Sequence, residues 1–140
     1  MWHQQEIKLS AKKRGFHLIT DNITQQLTGL AQINCGILHL FIKHSSASLT
    51  INENADPTVR TDMEKHFNVI APERAPYYQH IYEGDDDMPA HIKSSLLGAS
   101  ISIPITNGQL NLGIWQGIYL GEHRDSASSR TIIATVNGSK

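Results

Sequence analysis

The sequence predicts an α+β fold over residues 1–140, a single domain built mainly as an antiparallel, jelly-roll-like β-sandwich with about three short helices. Three observations carry this. "SISIPIT-NG-QLNLGIWQGIYL" places alternating runs on both sides of Asn107-Gly108, the dipeptide of a type I′ hairpin turn. Short runs rich in β-branched residues recur along the chain. "ADPTVRTDMEKHFNVI" instead carries helix signals, with Asp56 as N-cap, Pro57 in the first helical position and an apolar stripe of Val59, Met63, Phe67 and Ile70.

The elements follow in order. "WHQQEIKLS" alternates weakly, with Ile7 and Leu9 apolar, and reads as a strand. Gly15 and "FHLI" suggest a second. "TDNITQQLTGL" reads as a short helix, capped by Thr20 or Asp21, with Ile23, Leu27 and Leu30 on one face and "NCG" ending it. "ILHLFIKH" puts Leu38, Leu40, Ile42 and His44 on one strand face, and "SLTI" is a further short strand. After the Asp56 helix, Pro72 and Pro76 break the chain. "DDDMPAHIKSSLLG" starts again, with Asp87 as cap, Pro89 in the first turn and Gly98 as stop. "RTIIATV" is the last strand. No repeat, linker or low-complexity tract divides the chain, so one domain is expected.

Composition narrows the function. Lys and Arg number 12 against 13 Asp and Glu, a net charge of -1, which argues against a general nucleic-acid binder. No apolar run approaches the roughly 20 residues of a membrane span, and the N-terminus lacks a signal-peptide pattern. One cysteine, Cys35, allows no disulfide framework and fits a reducing cytoplasm. It reads as a small buried residue. Eight histidines are the one compositional hint of chemistry.

"YYQHIYEGDDDMPAHIKSSLLG" holds His80 and His91 around Glu83, Asp85, Asp86 and Asp87. Asp87 and His91 lie one helical turn apart, so a carboxylate and an imidazole can converge there. With His80 and one distant histidine they offer ligands for a divalent ion such as zinc or magnesium; a solvated acidic loop capping a helix is the plainer account. His44 ends an apolar strand and opens "HSSASLTINENADP". The hydroxyls of Ser45, Ser46 and Ser48 suit an anion, Glu53 suits a cation, and a strand-turn-helix connection explains the same composition. Gly113 and Gly117 read as strand glycines around Gln116, which either faces a ligand or marks a bulge beside a core Trp115. Glu122-His123-Arg124-Asp125 reads as a solvent-facing tip. Arg130 is either a phosphate anchor or an exposed edge residue.

"HSSASLTINENADP", "GDDDMPAHIKSSLLG", "GIWQGIYLGEHRD" and the terminal "RTIIATV" together resemble, in order, the pattern of the YjbQ-like family, often labelled secondary thiamine-phosphate synthase. The resemblance implies a compact, mainly antiparallel domain, a homotrimer, and a polar pocket near the subunit boundaries. His44, His80 and His91 match its histidines and would line that pocket; Ser46, Asn54, Gln116 and Arg130 match other polar positions. It implies weak thiamine phosphate synthase activity on small phosphorylated molecules. A metal-dependent hydrolase is the alternative, with His44, His80 and His91 holding the ion and Glu53 as base. Across these readings His44, His91 and Glu53 are the candidate catalytic set, and Ser45, Ser46, Ser48, Asn54, Gln116 and Arg130 the candidate ligand- or phosphate-binding residues. A non-catalytic binder of a phosphorylated metabolite or a metal ion is the third reading. Gly121 stands where some relatives carry Cys, which rules out thiol chemistry at that position.

Overall fold

The computed structural model describes residues 1–140. Eight strands run as β1 (Trp2–Leu9), β2 (Gly15–Leu18), β3 (Cys35–Ile42), β4 (Ala47–Glu53), β5 (Ser100–Thr106), β6 (Gln109–Leu110), β7 (Gln116–Glu122) and β8 (Arg130–Ser139). The helices are α1 (Thr20–Gln26), α2 (Pro57–Ile70) and α3 (Asp87–Leu97). Two sheets form, one of five strands in the order β1-β8-β3-β5-β6 and one of three in the order β2-β7-β4. All pairings are antiparallel. The fold class is the expected α+β one.

Period-2 alternation explains the layers. Ile7 and Leu9, Leu38 and Leu40, Ile103 and Ile105, and Ile132 and Val136 point from the large sheet into one core cluster. Leu49, Ile118 and Leu120 enter it from the small sheet. Burying each such side chain stabilises the fold by about 1.5–3 kcal/mol. The intervening positions of the small sheet face α2 and α3. Ser94 Oγ of α3 donates to the Ala47 carbonyl at 2.8 Å, and Phe67 of α2 packs on Phe16 of β2 at 5.9 Å. No helix is long and apolar enough to cross a membrane.

The hairpin is as expected: Thr106 pairs with Gln109, and Asn107 and Gly108 take φ of 52° and 79°. A Cβ at Gly108 would lie 2.8 Å from the Ala31 carbonyl, so the turn needs glycine for space as well as for φ. The run after it is shorter than expected. β6 is a two-residue strand, Gly113 lies in the following loop rather than in a strand, and β7 joins the other sheet. Trp115 is exposed instead of buried, because it precedes the paired segment.

Other expectations are corrected. α1 has no side-chain cap; the Thr20 hydroxyl instead accepts the Ile118 N–H at 2.9 Å. α1 ends at Gln26, and a separate 3-10 turn covers Leu30–Gln32 before Cys35. Asp56 caps α2 through the Thr58 N–H, yet Ile70 of its stripe, the last residue of the helix, is exposed. Cys35 is exposed: alternation that turns Leu38, Leu40 and Ile42 inward turns residue 35 outward. The N-cap of α3 is Asp86, and Asp87 makes no cap bond. Asp87 is buried and engaged elsewhere.

Candidate functional site

The first turn of α3 presents Asp87 and, four residues on, His91 on one face. The preceding loop brings His80 to the same carboxylate. His80 Nε2 lies 2.7 Å and His91 Nε2 3.1 Å from Asp87 Oδ2, and the two imidazole rings are 5.3 Å apart. One donor atom from each of the three residues lies within 4.8 Å of the others. Asp87 is 2% exposed, whereas His80 is open to solvent.

What surrounds the three decides their chemistry. His91 Nδ1 lies 3.0 Å from the Ser45 carbonyl, which can only accept, so Nδ1 carries the proton. A neutral His91 therefore turns its Nε2 lone pair toward a carboxylate oxygen. A proton or a cation must sit between them. An imidazole that donates its far N–H to a backbone carbonyl is the usual outer support of a metal ligand. The other Asp87 oxygen, Oδ1, accepts from Arg124 Nη1 at 2.6 Å. Arg124 also reaches Asp86 Oδ2 through Nε at 2.8 Å and the Glu83 carbonyl through Nη2 at 2.8 Å. Burial pushes the Asp86 carboxyl upward, but the Asp125 N–H and the Arg124 guanidinium outweigh it and hold it below the usual range. The donor set fits a divalent ion: two imidazole nitrogens and one carboxylate oxygen, with His91 braced from behind by the Ser45 carbonyl and Asp87 by Arg124. Imidazole suits zinc and related transition metals; magnesium prefers oxygen ligands.

Beside His80 lies a cavity of about 350 Å³, walled by Pro76, Tyr78, Ile81 and Met88 and by the Arg74–Asp85 ion pair at 2.8 Å. Asp85 is thus paired to Arg74, as Asp86 is to Arg124, and neither acts as a free acidic loop residue.

The expected third histidine is elsewhere. His44 follows β3, and its Nε2 accepts the Thr131 N–H at 2.9 Å, so that lone pair is spent on backbone. Burial and the nearby Arg130 lower its pKa. Asp87 is the third member in its place. Ser45 takes part through its carbonyl. Ser46 faces the strand junction, where its carbonyl accepts from His123 N at 3.3 Å and Arg130 Nη2 at 3.4 Å. Ser48 is fully buried, its hydroxyl 2.8 Å from His123 Nε2, and is closed to a ligand. Arg130 is neither a free anchor nor an exposed edge residue: it is 6% exposed and bound to Glu122. Glu53, Asn54 and Gln116 sit at the opposite end of β4 and β7, about 20 Å of extended strand from Ala47. Asn54 and Gln116 line a separate cavity of about 330 Å³ with Thr20 and Asp21. Glu53 accepts from the Asp56 N–H there, so it is no base for the His80–His91 group of its own chain.

Sequence reasoning missed Arg124. Of the tip it assigned to solvent, Glu122 and His123 are 0% exposed and Arg124 is partly buried, whereas Asp125 is exposed. The available signal was position: "EHRD" directly follows the buried run "GIYLG", so its first residues inherit that strand's burial.

The comparisons agree with one another. A family model described as UPF0047 protein YjbQ-like matches residues 5–139. UPF0047 protein YjbQ of Salmonella typhimurium is 59% identical over 138 residues, covering 99% of each chain. UPF0047 protein YugU of Bacillus subtilis is 37% identical over 120 residues, 84% of this chain and 88% of its own. Among solved structures, a conserved yjbq/upf0047 protein from Clostridium acetobutylicum superposes with a TM-score of 0.82 at 34% identity, covering 95% of this chain and 99% of that one. A YbjQ-like protein of unknown function from Sulfolobus solfataricus gives 0.85 at 26% identity, covering 99% and 98%.

Proposed function

This chain belongs to the YjbQ-like UPF0047 family, and from that premise we propose that it is a metal-dependent enzyme acting on small phosphorylated molecules, with His80, His91 and Asp87 holding the ion. The observation that carries the reading is the His91 ring. Its Nδ1–H is fixed on the Ser45 carbonyl while its Nε2 faces the Asp87 oxygen that His80 also faces. Three protein ligands leave positions open for a substrate, the arrangement of catalytic rather than structural metal sites. A divalent ion there supplies a Lewis acid that neutralises charge on a phosphoryl oxygen. The chain's own groups do the rest. The cavity beside His80 takes the organic part of the substrate against Tyr78, Ile81 and Met88, and Arg74 is the cation on its wall.

Hydrolysis of a phosphate ester is the reaction this site supports best. Weak thiamine phosphate synthase activity, which the family resemblance implies, needs charge neutralisation on a leaving pyrophosphate. Asp85 and Asp86 are committed to arginines, which leaves the His80–Asp87–His91 ion as the agent for that as well. The exposed face of the five-stranded sheet, with Trp2, Ile37 and Phe41, supports the homotrimer that the same resemblance implies. A cytoplasmic setting fits the free, exposed Cys35.

The test is metal analysis of untagged protein purified without chelator, beside a His80→Ala/His91→Ala variant, followed by phosphatase and synthase assays with zinc, manganese or magnesium restored. Near-stoichiometric metal in the native chain, lost in the variant together with turnover, is the expected result. Turnover that survives chelation and the double substitution sinks the reading. Bound metal with no turnover on any phosphorylated substrate leaves a binding protein.

A further inference from the structure

Glu122 and Arg130 form an ion pair at the rim of the core, where β7 ends and β8 begins. Both side chains take the inward register of their strands, among Ile118, Leu120 and Ile132. Arg130 Nε donates to Glu122 Oε1 at 2.8 Å, and Nη2 donates to Oε2. A buried pair of this kind is weak evidence for stability, because desolvating two charges offsets most of their attraction. Its outward contacts are more informative. Arg130 Nη2 donates to the Ser46 carbonyl at 3.4 Å, one residue from the carbonyl that fixes His91 Nδ1. Glu122 Oε2 accepts the backbone N–H of Arg124 at 3.2 Å, the residue whose guanidinium holds Asp87 Oδ1. Both outer supports of the triad, the Ser45 carbonyl and Arg124, thus hang from one ion pair that touches none of the three ligands.

We propose that Glu122 and Arg130 are positioning residues for the His80–Asp87–His91 group: their ion pair sets the Ser45 carbonyl against Arg124 and so fixes the tautomer of His91 and the direction of the Asp87 carboxylate. The inference uses the metal reading for only one of its two readouts. It also explains a binding-type arginine with no surface to bind at. Its planar fork engages both carboxylate oxygens and a backbone carbonyl in fixed directions, which the rotatable donors of a lysine ammonium do not impose.

The test compares the native chain with Glu122→Leu/Arg130→Met and with Arg130→Lys. Removing both charges together avoids stranding one of them, so the double variant is expected to fold. The first readout is the His91 tautomer by long-range 15N–1H NMR, assigned with a His91→Gln control. The native ring is expected with Nδ1 protonated and hydrogen-bonded throughout, and both variants with Nδ1 only partly so. The second is the zinc dissociation constant of the folded proteins, expected to rise 10–100-fold in the double variant and less in Arg130→Lys. A double variant that melts differently but keeps Nδ1 protonated and hydrogen-bonded throughout and binds zinc within twofold of the native value overturns the proposal, because the pair is then only structural. Should the double variant not fold, Glu122→Gln/Arg130→Met, which keeps the shape at position 122 and again strands no charge, carries the same two measurements with the same outcomes. If the native chain binds no zinc, the metal reading falls alone and the Nδ1–H hydrogen bond to the Ser45 carbonyl decides this one.

Discussion

Arg124 holds Asp87 by the carboxylate oxygen that the histidines leave free, Nη1 donating to Oδ1 at 2.6 Å while both imidazoles face Oδ2. One side chain from the end of the small sheet therefore orients a carboxylate on the first turn of α3. Its three directed bonds, to Asp86, Asp87 and the Glu83 carbonyl, need a planar fork.

Arg124→Lys is expected to weaken zinc binding 10–100-fold despite keeping the charge, and Arg124→Gln to do at least as much. Isothermal titration with zinc measures it. A lysine variant with native affinity would show that charge alone, and not the fork, supports Asp87.

Zinc is expected to stabilise the native chain through the folded state only. At free zinc 100 times its dissociation constant, the gain is about 2.7 kcal/mol, readable as a rise in denaturant midpoint. His91→Ala removes one ligand, so the gain should vanish. An equal gain in His91→Ala would place the zinc site elsewhere on the chain.

Local signals made most of the fold legible. Asp56-Pro57 and Asn107-Gly108 act within a few residues of themselves, and each does what its local chemistry dictates. The faces of β1 and β3 follow from alternation alone. The site was legible only where it too is local: Asp87 and His91 share a helix face, and His80 is in the adjoining loop. Its remaining parts are long-range. Ser45 meets His91 only because β4 packs against α3, and Arg124 meets Asp87 only because β7 pairs with β4. No spacing in the sequence encodes such contacts. The same limit explains His44 and Glu53, which fit the chemistry by residue type but are held by Thr131 and by the far end of β4.

Glu53→Gln and His44→Asn should therefore keep full zinc stoichiometry in the isolated chain, in contrast to His80→Ala and His91→Ala. Neither residue faces the Asp87 carboxylate, so neither substitution removes a ligand or an outer support of the triad. Metal analysis of the four variants side by side is the check. Loss of zinc in His44→Asn with a native fold would restore that histidine to the metal set.

The fully buried His123 gives a signed prediction for acid stability. Burial, and then the charges of Lys93, Arg130 and Arg14, lower its pKa from 6.5 to about 3. Its Nε2 meets Ser48, and its Nδ1 has no partner, so nothing around it stabilises an added proton. In the unfolded chain the same ring protonates near pH 6.5, so between that value and about 3 the unfolded state binds the extra proton. Stability is then complete above pH 6.5 and declines as pH falls through the window. The decline at pH 5 relative to pH 7 is about 2 kcal/mol from this residue. His44, lowered mainly by burial, adds to it with the same sign. His123→Gln loses packing at every pH but has no proton to gain, so its stability should fall less steeply between pH 7 and 5. Denaturant unfolding at several pH values separates the two effects, because packing shifts the whole curve and titration changes its slope. Parallel curves for the native chain and His123→Gln would mean that His123 does not titrate on unfolding in this window.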